Sequence, residues 1–352
     1  MISLSGFDYE NKLENPLKIF ENTWQTKTFI NGPAVKKFEE TFAKYCGAEK
    51  CVAVSSCTSA LHLSLLALNI GPGDEVITVP YTWVSTVEVI KQVGAKPVFV
   101  DISRDDMCID TNQVANKINK NTKAIIGVDL FGNVCDVDEL KKFGVPVIQD
   151  SAQSTGALYK GKKVGSVADL TCFSFYPTKN LSCWGDAGAV TGDEKLLQTI
   201  RQLRNHGQSD RFKIDMVGWN ARMDSIQAEI LINKLPNLDT HNKRRRAIAT
   251  QYDEALHKFI ETPVQNINSN HVYHQYIIKH KKVKEIEKFL LGKNIQSRRY
   301  YPTPLHKTQT YYDNNVYPNA EYCSNEALAI PVHQYLTEDD VTSIIKAVKQ
   351  SI

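Results

Sequence analysis

An acid at the end of an apolar strand and a lysine hemmed in by aromatics are the two side chains of this sequence best suited to covalent carbonyl chemistry. The acid is Asp150, which closes the run Pro146–Asp150 and is followed by Ser151-Ala152-Gln153. Open α/β sheets place ligand-binding groups at such carboxyl ends. The lysine is Lys179, set in Phe173-Ser174-Phe175-Tyr176-Pro177-Thr178-Lys179-Asn180. An amine flanked by aromatics and proline is poorly solvated and is easily deprotonated. A carboxylate with a neutral amine suggests Schiff-base chemistry. By residue type alone, Lys179 also reads as a surface loop lysine and Asp150 as a strand-end cap.

Two segments invite comparison with phosphate loops. Gly156-Ala157-Leu158-Tyr159-Lys160-Gly161-Lys162-Lys163 matches G-x-x-x-x-G-K, but Lys163 stands where a P-loop needs a hydroxyl for Mg²⁺. Val164-Gly165 follow it rather than a helix, so the segment reads as a β-turn. In Ser55-Ser56-Cys57-Thr58-Ser59-Ala60-Leu61 a strand ends in small hydroxyl residues as a helix begins. Free backbone N–H groups and the helix dipole converge at such a place, and Thr58 and Ser59 add hydroxyl donors. The same residues are also ordinary N-caps. No G-x-G-x-x-G occurs, which removes the usual dinucleotide fingerprint. The eight cysteines include no C-x-x-C pair and there is no His-rich tract of zinc spacing, so no metal site is expected. Most of the cysteines read as small buried hydrophobes.

The elements that must position these groups follow a simple rhythm. Cys51–Ser55, Glu75–Val79, Pro97–Val100, Lys123–Val128, Pro146–Asp150, Leu170–Phe175 and Ala187–Gly192 are short β-rich runs separated by helical or turn-rich stretches. Such alternation predicts a mainly parallel sheet covered by helices. Thr58–Asn69 is a helix stopped by Gly71-Pro72-Gly73, and Val84–Val93 and Val114–Ile118 are weaker helical patterns. After Gly192 the texture becomes helical: Lys195–Arg204, Met223–Leu235 and, beyond Pro236, the long polar Asn237–Lys258. Its run Lys243-Arg244-Arg245-Arg246 reads as a solvated helix face. Strand-like Val272–Lys279 and Asn294–Tyr300 with helices Val283–Leu291 and Glu338–Lys349 complete a small α+β unit. The expected division is therefore a large domain over 1–236 and a small one over 237–352.

Composition narrows the function classes. The chain has 352 residues, 42% of them hydrophobic and 23% charged, the make-up of a folded enzyme. Lys and Arg number 42 against 39 Asp and Glu, a formal charge of +3, which gives no broad cationic surface for nucleic acid. No apolar run reaches the roughly 18 residues of a membrane span. Met1–Pro16 mixes Asp8, Glu10 and Lys12 where a signal peptide is apolar, so a cytoplasmic location is expected.

Ordered matches along the chain supply a family. The sequence resembles the DegT/StrS family of pyridoxal-phosphate sugar aminotransferases, within the aspartate-aminotransferase fold (fold type I). The resemblance runs from about Gly32-Pro33-Ala34-Val35 to the C-terminus. It rests on Gly71-Pro72-Gly73-Asp74-Glu75-Val76, Gly94-Ala95-Lys96-Pro97-Val98-Phe99-Val100-Asp101 and Asp150-Ser151-Ala152-Gln153. It continues through the Lys179 segment, Arg204-Asn205-His206-Gly207, Asn220-Ala221-Arg222-Met223 and Tyr301-Pro302-Thr303-Pro304-Leu305-His306. Cys57 stands where many members have Gly, and Trp184-Gly185-Asp186-Ala187-Gly188 is a local variant.

The resemblance implies roles for individual residues. Lys179 would bind the cofactor covalently, Asp150 would pair with its pyridinium nitrogen, Gln153 would lie near its hydroxyl and Trp83 would stack on its ring. Thr58, Ser59 and Ser174 would meet its phosphate, and Asn220 would reach the phosphate of the neighbouring subunit in a homodimer with shared active sites. Tyr301 and His306 resemble the family's substrate-facing loop. The implied reaction takes an amino group from L-glutamate, giving 2-oxoglutarate, and places it on a nucleotide-linked keto sugar. The whole chain most resembles enzymes converting a UDP- or dTDP-linked 4-keto-6-deoxyglucose to the 4-amino sugar (viosamine). The alternatives are 3-amination and amination of a keto-cyclitol. A non-catalytic regulator fused to a DNA-binding module would need a helix-turn-helix that residues 1–30 do not supply.

Overall fold

Each of the seven β-rich runs between residues 51 and 192 forms a strand in the computed structural model, which describes residues 1–6 and 16–352. Asp8, Glu10 and Lys12 of the opening segment lie outside the described residues. The strands are β1 (Cys51–Val54), β2 (Glu75–Thr78), β3 (Lys96–Phe99), β4 (Thr122–Val128), β5 (Val147–Asp150), β6 (Leu170–Ser174) and β7 (Gly188–Gly192). They form one seven-stranded sheet in the order β1-β7-β6-β5-β4-β2-β3. Neighbours run parallel except at β7, which is antiparallel to both β1 and β6.

Period-2 alternation sends successive side chains of each strand into two separate cores. Ala53, Ile77, Ile125, Val147, Phe173 and Ala189 enter one, and Val52, Val76, Ala124, Ile148, Cys172 and Val190 enter the other. Because both faces are covered, β5 and β6 are buried at every residue. Helix α1 spans Pro16–Thr26 and α2 spans Pro33–Cys46. The latter starts with Pro33 in its first turn and stops at Gly47, whose φ of 68° closes the helix. It covers the first face through Phe38 and Phe42, and the Phe42 ring meets Phe173 and Phe175 edge-on at 5.0 and 5.2 Å. Helices α3 (Cys57–Ala67), α4 (Ser85–Gln92) and α5 (Glu194–Leu203) cover the second face through Leu61, Leu65, Ile90 and Ile200. Helix α6 (Ser225–Lys234) returns to pack beside α2.

A third core lies among α7 (Leu238–Leu256), α8 (Val283–Gly292), α9 (Glu338–Ser351) and the antiparallel pair β8 (Tyr276–Lys279) and β9 (Ala327–Ile330). The first residues of the chain sit with it: Ile2 bridges Ile295, and Leu4 N–H donates to Gln296 Oε1 at 3.0 Å. Among the described residues no helix is long and apolar enough to cross a membrane.

Three expectations need adjustment. The helix expected over Val114–Ile118 occupies Thr111–Val114, because the Asp110 side chain accepts from Asn112 N–H and starts it earlier. Val272–Lys279 is strand only from Tyr276, since the preceding residues are bonded to a loop instead: Val272 N–H to Gly132 O at 2.9 Å and Gln275 N–H to Phe131 O at 3.2 Å. Asn294–Tyr300 makes isolated bridges at Ile295 and Arg298, to two different partners, and forms no strand. The β-turn expected in Gly156–Lys163 is present: Lys160 and Gly161, at φ 47° and 78°, turn a hairpin of Leu158–Tyr159 against Lys162–Lys163.

Candidate active site

A cavity of about 400 Å³ lies among Val128 and Asp150 at the carboxyl ends of β4 and β5, the start of α3, the residues leading into α4 and the segment around Lys179. Thr58, Trp83, Asp150, Gln153, Ser174, Lys179 and Tyr301 all line it.

Asp150 is 5% exposed and its carboxylate is pinned on both oxygens. Thr86 Oγ1 donates to Oδ2 at 2.8 Å and Ala152 N–H donates to Oδ1 at 3.2 Å. The Cys57 thiol approaches Oδ1 at 3.9 Å. Burial pushes the Asp150 carboxyl above its ordinary value, against the opposing pull of these donors and of Lys179. Lys179 is fixed in a turn by its own N–H, which donates to Tyr176 O at 2.8 Å. Among the described residues its amine makes no hydrogen bond or ion pair, and burial lowers its pKa. The neighbouring Cys57 and Asp150 offset this only in part.

Ser56 caps α3 by accepting from Ser59 N–H at 3.0 Å. The start of this helix is pressed against β7, since a Cβ on Gly188 would stand 2.4 Å from the Ser56 carbonyl carbon. Only glycine allows that approach. Thr58 Oγ1 pairs with Ser85 Oγ at 2.9 Å, and Ser174 lies at the facing end of β6. Gln153 is held at both ends of its amide: Oε1 accepts from Phe131 N–H at 2.6 Å and Nε2 donates to Tyr301 Oη at 3.2 Å. Trp83, 59% exposed, stands at the mouth with its ring 6.1 Å from that of Tyr301.

Three expected residues lie elsewhere. Ser59 turns its hydroxyl back onto Ser55 and Ser56, at 2.9 and 3.1 Å. Asn220 is exposed and accepts from Arg222 Nε at 3.0 Å, outside the cavity of its own chain. His306 is a correction: it is 0% exposed, with Nε2 3.1 Å from Glu321 Oε1 and its ring 4.7 Å from Tyr317. The short 3₁₀ turn Leu305–Lys307 points it into the protein rather than at a substrate.

The fold adds residues that motif reading missed. Thr86 sits in the first turn of α4, where a hydroxyl after strand β2 was the available signal. Asp129, 0% exposed, accepts from Ser151 Oγ at 2.8 Å, Ser154 Oγ at 2.7 Å, Gln149 Nε2 at 2.9 Å and Cys135 N–H at 3.0 Å. It thereby fixes the segment carrying Asp150 and Gln153. Burial pushes Asp129 up to about 6, with these donors pulling it down. His274 lines the cavity with its Nδ1 buried and unpartnered, and burial holds its pKa well below the usual value. A Cβ on Gly132 would stand 2.8 Å from His274 N, so the loop before it packs closely on this histidine's backbone.

The donor set fits one kind of cofactor. A helix start with hydroxyls suits a phosphate, a buried carboxylate suits a cationic ring nitrogen, and a buried amine of lowered pKa suits a carbonyl. All three face one chamber, together with the unpartnered His274.

The comparisons identify that kind of cofactor. Residues 11–349 match the model of the DegT/DnrJ/EryC1/StrS aminotransferase family. The chain is 36% identical to the pleiotropic regulatory protein of Geobacillus stearothermophilus, covering 99% of this chain and 97% of that one. It is 37% identical to the UDP-2-acetamido-2-deoxy-3-oxo-D-glucuronate aminotransferase of Pseudomonas aeruginosa, covering 91% of each. DesV of S. venezuelae, solved in complex with a ketimine intermediate, superposes with a TM-score of 0.96 at 32% identity, covering 99% of this chain and 98% of that one. The sugar aminotransferase Spr1654 of Streptococcus pneumoniae, a putative one solved in its PLP form, gives 0.89 at 28% identity over 96% of both chains. The chain belongs to the DegT/DnrJ/EryC1/StrS aminotransferase family and is a pyridoxal-phosphate-dependent sugar aminotransferase.

Proposed function

We propose that this enzyme moves the amino group of L-glutamate onto a ketone of a nucleotide-linked hexose. The observation that carries the reading is the pairing of an unpartnered, pKa-lowered Lys179 amine with the buried Asp150 carboxylate in one chamber. The sequence resemblance favours a UDP- or dTDP-linked 4-keto-6-deoxyhexose, giving a viosamine-type product. A second reading, amination at C3, is favoured by the Pseudomonas relative, whose substrate is a 3-oxo sugar. Incubating the enzyme and glutamate with UDP- and dTDP-linked 3-keto and 4-keto sugars, then locating the new C–N bond by NMR, decides between them. No turnover of any of these would remove the proposal.

Pyridoxal phosphate, when bound, supplies an electron-withdrawing ring that stabilises negative charge on the carbon beside the transferred nitrogen. Asp150 would keep the ring nitrogen protonated, with Thr86 and Ala152 holding the carboxylate in place. Lys179 would provide the covalent attachment, and its Nζ, whose pKa burial lowers, would take up and return the proton that moves between carbons. Trp83 would cover the ring and Gln153 would meet its hydroxyl. Thr58, Ser174 and the start of α3, stabilised by Ser59, would receive the phosphate.

We also infer a homodimer in which Asn220 completes the partner's phosphate site. Support comes from its exposure outside its own cavity and from large apolar side chains left at the surface nearby, Phe212, Ile214 and Val217. Phe20 and Trp24 of α1 are similarly exposed. A two-domain division near residue 236, with the first residues docked on the second unit, is consistent with the separate third core. A purely regulatory role, in keeping with the Geobacillus relative's name, leaves the pairing of Lys179 and Asp150 without a purpose.

A further inference from the structure

Among the described residues, strand β1 is an edge of the large sheet, paired on one side only, with β7. An edge strand leaves every second residue with a backbone N–H and C=O that the sheet does not use. Here side chains and one loop take them up. Ala53 N–H donates to Glu39 Oε1 at 2.9 Å, Ala53 O accepts from Arg204 Nη1, and Cys51 O accepts from Arg201 Nη2 at 3.1 Å. The next outward group, Ser55 N–H, donates to Ala221 O at 3.0 Å.

Glu39 and Arg204 are the centre of this seal. Glu39, buried on α2, accepts from Arg204 Nη1 at 2.6 Å and, on its other oxygen, from Arg201 Nη1 at 2.8 Å. Arg204 is equally buried and its Nε has no partner, so among the described residues Glu39 is the one carboxylate that offsets its charge. Apolar residues in place of such a pair are often as stable or more so, and stability alone therefore does not account for it. Two segments are fixed at this point. Beyond Ala53 the chain passes through Ser55 to Ser56, the N-cap of α3, and to Thr58 at the chamber. Beyond Arg204 it enters the segment that presents Asn220: Arg204 O accepts from Ala221 N–H at 2.9 Å, and Asn205 and Asn220 form a bridge. The first segment is the helix start proposed to receive the phosphate, and the second carries the residue proposed for the partner's phosphate. One buried ion pair holds both.

We infer that Glu39 and Arg204 are positioning residues for the cofactor's phosphate, acting through the free edge of β1 on the start of α3 and on the Asn205–Asn220 bridge. This rests on the reading of that helix start as the phosphate site. Neither side chain lines the chamber, so their effect reaches the phosphate through the backbone they hold.

Calorimetric titration of the apoenzyme with pyridoxamine 5'-phosphate and with pyridoxamine, which differ only in the phosphate, tests it. The wild-type enzyme should bind the phosphorylated form about hundredfold or more tightly than the other. Glu39→Gln and Arg204→Met should each cut that ratio about tenfold, while the affinity for pyridoxamine stays within about threefold. Arg204→Lys keeps the charge but not the planar fork of donors, and should lower the ratio by about threefold. A ratio unchanged in the folded variants overturns the positioning role while leaving the phosphate site intact. A parallel loss for both ligands also overturns it, because general damage to the fold does not single out the phosphate. Should Glu39→Gln and Arg204→Met fail to fold, Arg204→Lys decides: a lowered ratio supports the role and a wild-type ratio overturns it. If the wild-type enzyme binds both ligands equally, the phosphate reading of the α3 start falls and this inference falls with it.

Discussion

Thr86 Oγ1 donates a 2.8 Å hydrogen bond to Asp150 Oδ2, and it joins two elements 64 residues apart in sequence. The hydroxyl keeps the carboxylate aimed into the cavity and favours its charged form. Thr86→Val removes the donor at nearly constant volume. A buried hydrogen bond to a charged acceptor contributes about 1.5–3 kcal/mol, so cofactor affinity should fall about tenfold to hundredfold, with Thr86→Ser restoring most of it. Absorbance titration of the apoenzyme with pyridoxal phosphate measures this, and equal affinities in wild type and the valine variant would count against the role.

Asp129 predicts a pH dependence of stability. Its folded pKa, pushed up to about 6 by burial, exceeds the ordinary value of 3.8. Between those values the native protein holds a proton that the unfolded chain has released, so this group's contribution is complete below pH 4 and is lost as pH rises through 6. Asp129→Asn cannot titrate, so its unfolding free energy should lack a fall of roughly 3 kcal/mol over that interval. Urea unfolding of both proteins at pH 4 and pH 6.5 gives the comparison. The same decline in both would show that Asp129 is not its source.

All eight cysteines are unpaired and buried, and burial pushes the Cys57 thiol well up. The native enzyme at pH 8 should therefore react with Ellman's reagent only slowly, whereas the denatured enzyme releases eight equivalents at once. Rapid modification of Cys57 in the native state would contradict its placement against Asp150.

The proposed sharing of active sites between subunits predicts complementation. Lys179→Ala and Asn220→Asp subunits, each inactive alone, form mixed dimers with one site carrying both lesions and one carrying neither. Activity should partly return on subunit exchange. Exchange without recovery would exclude the crossing role of Asn220.

Much of this architecture was legible because local pattern and burial coincide. Strand β5 is buried throughout and ends in an acid, which located both the sheet and Asp150. Helix α2 was equally marked, by Pro33, by Phe38 and Phe42 one turn apart and by Gly47, yet of these only Pro33 was named from the sequence, as part of a family match. Side-chain direction was harder to read. Thr58 and Ser59 are adjacent hydroxyls at one helix start, and periodicity does not say that Thr58 lines the cavity while Ser59 turns back to Ser55. His306 was misplaced because its turn aims it at Glu321, a partner known only from the fold. Thr86, Asp129 and His274 act at the site through long-range placement, which no local motif encodes.

The proposed role of Lys179 as the cofactor-binding lysine is tested directly by borohydride reduction. Reducing the holoenzyme should fix the cofactor irreversibly, and peptide mass spectrometry should find the added mass on Lys179 within Phe173–Asn180, with activity lost in proportion to labelling. Label on any other lysine, or full activity retained after complete reduction, would contradict the account.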